Sequence, residues 1–411
     1  MSVVAPLRAA PSQRSQFELA DIFSSHADTY CQSHYVTRSE RKVIRAVMNC
    51  RTAALGGHRE WCQRCGHERY RYHSCRNRHC PKCQALAKAA WLQKRQQELL
   101  PAPYFHNVFT LPHELNRLIL ASERNRRALW DLLFHAAAET LLAFGENNLG
   151  GKVGFTMVLH TWDQQLRPHF HVHCVIAAGA LAEDGSKWIE AGKNFLFPVR
   201  ALSKVFRAKY LESLQQQLAA GNLDVPTHLT ELSSPQHWRR WLRRLRRKAW
   251  VVYSKAPFAG PQKLLDYLGR YTHRVAISNH RLLARENGQI LFAYRDRTDG
   301  DRKKTTSLPV NQFIGRFLLH VLPSGFMRIR HYGLLANRAK KECLARCREQ
   351  LQASAPEPTE PKTVADWMRE LTGVDITRCP HCDAPLESEE VPPQSPRGRS
   401  APIDVDYWDT S

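Results

Sequence analysis

No stretch of the 411 residues reaches the ~18 consecutive apolar residues that a membrane span needs, and no amphipathic lipid anchor is evident. Met1 to Arg14 lack the apolar run of a secretory signal. Acidic charge is scarce: 38 Asp and Glu face 60 Lys and Arg, leaving a net +22. That imbalance favours a polyanionic partner, and with no apolar span or lipid anchor in view nucleic acid is foremost. A length of 411 residues with 43% hydrophobic content allows two or three domains and at least one sizeable core.

Cysteine is not scarce. Twelve are present, and without a secretory signal they read as metal ligands in a reducing compartment rather than as disulfides. Cys62-Gln63-Arg64-Cys65 and Cys80-Pro81-Lys82-Cys83 are two Cys-x-x-Cys knuckles separated by fourteen residues. Four thiolates at such spacing close a structural Zn²⁺ site, and zinc supplies folding free energy to a segment with almost no apolar core of its own. Cys62, Cys65, Cys80 and Cys83 are the expected ligands, with Cys75 the first alternate and His73 and His79 further spares. Arg64, Arg69, Arg71, Arg76, Arg78 and Lys82, interleaved with Tyr70 and Tyr72, surround these knuckles. Basic and aromatic residues on a rigid clip suit a DNA backbone or end; a solvated basic face is the alternative. Cys31 and Cys50 stand alone and read as small buried residues. A lone third knuckle, Cys379-Pro380-His381-Cys382, follows a Pro/Glu/Ser linker at 352–362. It is a candidate second zinc site, completed by Cys343 and Cys347 or by ligands the sequence does not identify.

His169-Phe170-His171-Val172-His173-Cys174 alternates histidine with apolar residues. Period two with β-branched neighbours predicts a strand, which puts the three imidazoles on one face. Successive ones lie about 6.6–7 Å apart by strand rise, close enough to converge on one ion. The apolar stretch at 153–161 and the polar turn around Asp163 predict a hairpin, with the histidine strand central and antiparallel to its neighbour.

Other periodicities fill in the order of elements. Helices are expected at 17–51, 85–100, 115–147, 200–219, 235–250, 261–271 and 313–321. Further strands are expected at 105–111, 275–277, 289–294 and 326–330, with a basic turn at 297–304. In the 235–250 helix Trp238, Trp241, Leu242 and Leu245 form one apolar stripe. The remaining surface carries Arg239, Arg240, Arg243, Arg244, Arg246, Arg247 and Lys248, cations that suit a nucleic-acid backbone. In Pro261-Gln262-Lys263-Leu264-Leu265-Asp266-Tyr267-Leu268-Gly269-Arg270-Tyr271, Tyr267 and Tyr271 are four apart on one helical face. The resulting divisions are a disordered 1–15, a helical and zinc-binding 16–100, a catalytic 101–335, a helical 336–383 with its knuckle, and a disordered 384–411.

Paired histidines, paired tyrosines and excess cations combine into one chemistry. A tyrosine hydroxyl, with an ordinary pKa of ~10, attacks phosphorus when a divalent cation polarises the phosphate. The 5′-phosphotyrosyl bond conserves phosphodiester energy for a later joining step. His171-Val172-His173 resembles the His-hydrophobic-His motif of the HUH endonucleases, and Tyr267 through Tyr271 resembles their two-tyrosine motif. Ser74-Cys75-Arg76-Asn77-Arg78-His79-Cys80-Pro81-Lys82-Cys83, Phe109-Thr110-Leu111-Pro112-His113-Glu114-Leu115 and Tyr267 through Ser278 are similar to rolling-circle transposases of insertion-sequence family ninety-one. That resemblance runs from about residue 15 to 385. It implies an α+β fold: an HUH-type core with a central, mainly antiparallel sheet flanked by helices, plus an N-terminal zinc-ribbon-like module. It implies nicking and joining of single-stranded DNA at element ends, with Mg²⁺ or Mn²⁺ on His171 and His173 and with Tyr267 and Tyr271 as nucleophiles. His169, Gln262, Asp266 and Asp163 are candidates for a third ligand. Arg270 and Arg274 join the DNA-binding candidates. No small-molecule substrate is implied, an oligomer is left open, and a bacterial cytoplasm with nucleoid association is expected. A plasmid replication initiator or relaxase with the same chemistry, and a non-catalytic zinc-ribbon DNA-binding protein, are the rival readings.

Overall fold

A computed structural model describes residues 17–192, 195–255, 258, 261–273 and 275–394, apart from the side chains of Pro261, Gln262, Asp266, Arg270, Tyr271 and Arg297. Two helices lead, α1 (Leu19–Ser33) and α2 (Arg38–Asn49), followed by the hairpin β1 (Gly57–Trp61) and β2 (Glu68–Tyr72) and helix α3 (Gln84–Gln96). Strand β3 (Tyr104–Thr110), the short α4 (Asn116–Ile119) and the long α5 (Glu123–Phe144) come next. Strands β4 (Gly151–Lys152), β5 (Gly154–Trp162), β6 (Pro168–Ala177), β7 (Gly179–Ala182) and β8 (Trp188–Glu190) follow. Then come α6 (Val199–Ala219), α7 (Pro235–Arg247), β9 (Val252–Lys255) and α8 (Pro261–Thr272). The chain closes with β10 (Leu282–Glu286), β11 (Gln289–Asp296), β12 (Arg302–Pro309), α9 (Val310–Leu318), β13 (Ile329–Gly333), α10 (Lys340–Gln350), α11 (Val364–Thr372) and β14 (Glu387–Val391).

A five-stranded sheet, ordered β13-β5-β6-β3-β9 with every neighbour antiparallel, forms the centre. The mixed α+β class with an antiparallel sheet between helices is therefore the observed one. Strand alternation sorts the faces. Phe105, Phe109, Phe155, Met157, Leu159, Phe170, Val172, Cys174 and Ile176 bury against α5, α6 and α7 in the main core. Each large side chain withdrawn there contributes about 1.5–3 kcal/mol relative to exposure. The opposite face carries Tyr104, Val175 and Ala177, packed against α8 through Leu264 and Leu268 and against α3 through Trp91 and Leu92. α5 begins where Ser122 accepts the backbone N–H of Asn125, and α7 where Ser234 accepts that of His237, with Pro235 in its first turn.

The N-terminal helices are not separate from the later chain. α1 and α2 share a core with β10, β11, β12 and α9, and Phe23 meets Phe317 edge-on at 5.5 Å. Four expectations change. Residues 275–277 form no strand, because Ala276 and Ile277 are drawn as a loop into that shared core. The strand expected at 326–330 starts at Ile329, since Phe326 plugs the main core between Trp130 and Phe134. The basic turn shrinks to 297–299, with Lys303 and Lys304 already in β12. Residues 387–391, expected to be disordered, pair with β1 as the strand β14. The expectations for 1–15 and for residues beyond 394 lie outside the described residues. No helix among those described is long and apolar enough to cross a membrane.

His320 gives this shared core a pH dependence. Its ring is 1% exposed, and Nε2 hydrogen-bonds the Leu166 carbonyl at 3.1 Å. Burial lowers its pKa to about 4. An unfolded histidine takes up its proton near 6.5, so between pH 6.5 and 4 the unfolded chain binds more protons and stability falls as pH falls. At pH 5 this costs roughly 2 kcal/mol, from about 1.5 pK units at 1.36 kcal/mol each. Denaturant melts at pH 7.5 and pH 5 should show His320→Gln losing less stability across that interval than the parent; equal losses would refute the assignment.

Candidate functional site

The β5–β6 hairpin sets the site. His160 on β5 stands directly across from His171 on β6, and Val158 across from His173. Residues opposite one another in an antiparallel ladder share a face, so His160, His171 and His173 converge. Their ring nitrogens lie within 4.8 Å of one another, and all three residues are buried. A register shift between His160 and Trp162 ends the regular ladder at this point, as bulges near functional sites do. The Trp162 ring stacks on His160 with centroids 5.3 Å apart. His171 Nδ1 donates to the His169 carbonyl at 3.0 Å, which leaves its Nε2 facing His173 Nε2 at 3.1 Å. Fixing one ring nitrogen in this way sets the tautomer and aims the other.

A second pair of side chains completes the cluster. His106 on β3 sits beside His173 with Nε2 2.9 Å from His173 Nδ1. Tyr267 reaches in from α8. Its hydroxyl is 2.5 Å from His106 Nε2 and 3.1 Å from His173 Nδ1. Burial, reinforced by Lys255, lowers the His106 pKa to about 3, so the ring is neutral at pH 7 and can accept a hydrogen bond from the tyrosine. Gly269, two residues beyond Tyr267, lets α8 lie close to α3: a Cβ there would come within 2.9 Å of Leu92 Cδ1.

Of the expected residues, the structure brings His171, His173 and Tyr267 together. The third imidazole is His160 rather than His169. The His169 side chain is exposed at the strand entrance and contributes its backbone carbonyl. Asp163 is committed to the hairpin turn, where its carboxylate accepts from the backbones of Gln165 and Arg167 and pairs with the Arg167 guanidinium. The side chains of Tyr271, Gln262, Asp266 and Arg270, and the whole of Arg274, lie outside the described residues. The signal for His160 was its parity: in strand 154–162 it falls on the same side as Thr156 and Val158, opposite the apolar Phe155, Met157 and Leu159. His106 carried no comparable signal, because its strand reads apolar on both sides.

Three imidazoles suit a first-row transition ion that keeps open positions for oxygen ligands. This donor set favours Mn²⁺ over Mg²⁺.

The cysteines regroup. The β1–β2 hairpin pairs Gly57 with Tyr72 and Trp61 with Glu68. Cys62 and Cys65 therefore sit at its turn, while Cys75, Cys80 and Cys83 follow its open end. Five residues of strand separate the two, about 15 Å, too far for one ion. Cys80 and Cys83 instead gather with Cys75 and with Cys50, the residue that ends α2. Cys50 is thus no lone core residue; its Sγ is 3.2 Å from that of Cys83. Cys62 and Cys65 meet Cys379 and Cys382. Cys343 and Cys347 lie in α10, whose Cys347 is buried with Leu334 and Leu344 instead.

Basic residues line one face of α7 and one groove. Arg239, Arg240, Arg243, Arg244, Arg246 and Arg247 are exposed along α7 and make no ion pair among the described residues, while Trp238, Trp241, Leu242 and Leu245 are buried. Lys248 pairs with Glu114 and borders a cavity of about 220 Å³ that also touches His169 and Thr110 at the entrance of the histidine strand. A larger groove of about 700 Å³ runs between the zinc module, α3 and α11, lined by Arg69, Tyr70, Arg71, Tyr72, Arg76 and Arg78, and reaches His273 at the end of α8. The Tyr70 and Tyr72 rings stack along it at 6.1 Å. Arg78 also donates to the Phe326 carbonyl at 2.7 Å.

Two family models match the chain: "Putative transposase" over residues 154–343 and "Transposase zinc-binding domain" over residues 22–111. The chain is 47% identical to "Putative transposase y4qJ" of Sinorhizobium fredii over 375 residues, 90% of this chain and 94% of the relative. It is 31% identical to "Transposase for insertion sequence element IS801" of Pseudomonas savastanoi pv. phaseolicola over 349 residues, 84% of this chain and 82% of that relative. No solved structure matches.

Proposed function

The chain belongs to the transposases of insertion-sequence family ninety-one, and from that premise we propose that it nicks and rejoins single-stranded DNA by tyrosine attack at the histidine cluster. The observation that carries this reading is the Tyr267 hydroxyl, placed 3.1 Å from His173 Nδ1 beside three convergent imidazoles.

His160, His171 and His173 would hold a divalent ion; imidazole nitrogens alone favour zinc, and Mn²⁺ is the ion expected here because phosphate and water oxygens would fill the rest of an octahedron. Bound there, it supplies Lewis-acid polarisation of the scissile phosphate. The protein's own groups do the rest. His106 Nε2 accepts the Tyr267 O–H and fixes the direction of the remaining lone pairs on Oη. Held near 3, the imidazole orients this hydroxyl rather than storing its proton, which passes to solvent as the bond forms. The Oη–P bond forms and the P–O3′ bond breaks, the departing O3′ takes a proton from solvent, and the products are a 5′-phosphotyrosine and a free 3′-hydroxyl. The reverse attack by a 3′-hydroxyl on that phosphotyrosine joins strands without ATP. Tyr271, one helical turn on, is the second nucleophile in this reading, so that one strand is held while another is cut. Element ends and a target strand are the DNA partners.

The basic surface is assigned to the DNA backbone. Arg239, Arg243 and Arg247 lie on one face of α7, and replacing all three with Gln should lower the salt dependence of single-strand binding by about 2 in log–log slope, at ~0.7 for each phosphate no longer neutralised. An unchanged slope would remove α7 from the interface.

The reading is tested by incubating the protein with single-stranded element ends and Mn²⁺ and looking for a DNA adduct that survives denaturation. Intact DNA binding with no adduct would leave a zinc-containing binding protein.

A further inference from the structure

We propose that Cys62, Cys65, Cys379 and Cys382 form a second zinc site, separate from the Cys50, Cys75, Cys80 and Cys83 site, and that it clasps the C-terminal segment onto the N-terminal module. The inference does not rest on the nuclease reading.

The thiols are already assembled. Cys62 Sγ is 3.4 Å from Cys382 Sγ, and Cys65 Sγ is 3.5 Å from Cys379 Sγ, across 320 and 314 residues of chain. All four sulfurs lie within 4.8 Å of one another, and among the described residues no histidine or carboxylate joins the group. Four soft thiolates at the corners of a tetrahedron select zinc among the common divalent ions.

The backbone makes the stronger case, because the two knuckles have the same form. In the first, the Cys62 N–H donates to the His67 carbonyl at 2.9 Å and the Gly66 N–H donates back to the Cys62 carbonyl at 2.9 Å. In the second, the Cys379 N–H donates to the Ala384 carbonyl at 2.8 Å and the Asp383 N–H donates back to the Cys379 carbonyl at 3.0 Å. The fourth residue after the leading cysteine is left-handed in both, Gly66 at φ 72° and Asp383 at φ 58°. Such turns point successive N–H groups at the sulfurs, which favours thiolate over thiol. Two identical knuckles from opposite ends of the chain, facing one another, are the two halves of a ribbon. The sheet agrees: β14 adds to β1 in register from Gly57 with Val391 to Trp61 with Glu387, giving the order β14-β1-β2. The Cys80–Cys83 pair lacks this form, since Cys83 leads directly into α3.

The clasp shapes the basic groove. Met368 of α11 and Ile376 line its wall, and Arg69 in β2 donates to the Ile376 carbonyl at 2.7 Å while pairing with buried Glu60 at 2.8 Å. Closing the ribbon thus fixes the wall opposite Tyr70 and Tyr72.

The full-length protein should carry two zinc ions by native mass spectrometry. Cys379→Ser with Cys382→Ser should leave one, Cys62→Ser with Cys65→Ser should leave one, and all four together should still leave one. The single variants Cys65→Ser and Cys382→Ser, at the more exposed positions, should each speed chelator release of one ion and spare the other. Hydrogen exchange at β1 and α11 should rise in the Cys379/Cys382 variant. Two ions retained in that variant, none in the fourfold variant, unchanged exchange at β1, or a single ion in the parent with a mass reduced by two disulfides would each overturn the proposal.

Discussion

Tyr267→Phe should lower cleavage of single-stranded element ends by at least ~10³-fold and remove the denaturation-resistant adduct, the scale seen when a covalent nucleophile is deleted. The substitution is suited to the purpose because it deletes one oxygen and keeps the ring. That ring packs against Phe258 at 5.0 Å and His106 at 4.5 Å, so the fold of α8 and the His106–His173 contact at 2.9 Å do not depend on the hydroxyl. Single-strand affinity and zinc content should therefore stay within about twofold, since phosphate contacts from the basic surface supply most of the affinity. A Tyr267→Phe protein that still forms the adduct at the parent rate would remove Tyr267 from the first transfer. In the two-nucleophile reading Tyr271→Phe should spare the first cleavage and block the exchange to a second strand.

The second large effect concerns the histidines, and His160 is the informative one. His160→Ala should abolish Mn²⁺-stimulated nicking, at least ~10²-fold, as should His171→Ala and His173→Ala, because each removes one of three nitrogens facing the same point. His169→Ala should change nicking only a few-fold, since the residue offers its backbone carbonyl to His171 Nδ1, and its exposed ring lies beside that of His171 at 4.7 Å, outside the three-histidine group. The assay is nicking titrated with Mn²⁺, paired with calorimetric Mn²⁺ binding to the DNA-free protein. Full binding and nicking in His160→Ala, with loss in His169→Ala, would reverse the assignment of the third ligand.

The contrast between those two residues shows what the sequence carried and what it did not. Strand period was legible: alternation placed His171 and His173 on one face of a central antiparallel strand, and β6 lies there. Parity also admitted His169, because a period-two pattern marks a face and not a depth along it. Depth is set by the partner strand: parity gave the face of His160, and only the register of β5 against β6 places it beside His171. His106 needs a third strand and a helix brought to the same point. The cysteines follow the same logic. Local spacing identified each knuckle, yet spacing could not say which knuckles meet. The β1–β2 hairpin keeps Cys62 and Cys80 at opposite ends, and the partner of the first knuckle arrives with β14, from a tail whose Pro, Ser and acidic composition reads as unstructured. Residues 275–277 mark the converse case, an apolar run that satisfies a core without pairing as a strand. The apolar stripe of α7 was plain from i, i+3 and i+4 spacing, because a surface helix declares its buried side locally.

Tyrosine attack leaves a covalent record, so mapping the residue joined to a cleaved oligonucleotide is the decisive measurement. The full-length protein would be trapped with single-stranded element ends and Mn²⁺, digested with trypsin, and the DNA-bearing peptide sequenced by mass spectrometry. The nucleotide is expected on Tyr267, within the peptide following Lys263. An adduct on any residue outside α8, or cleavage with no tyrosine adduct at all, would contradict the proposed mechanism.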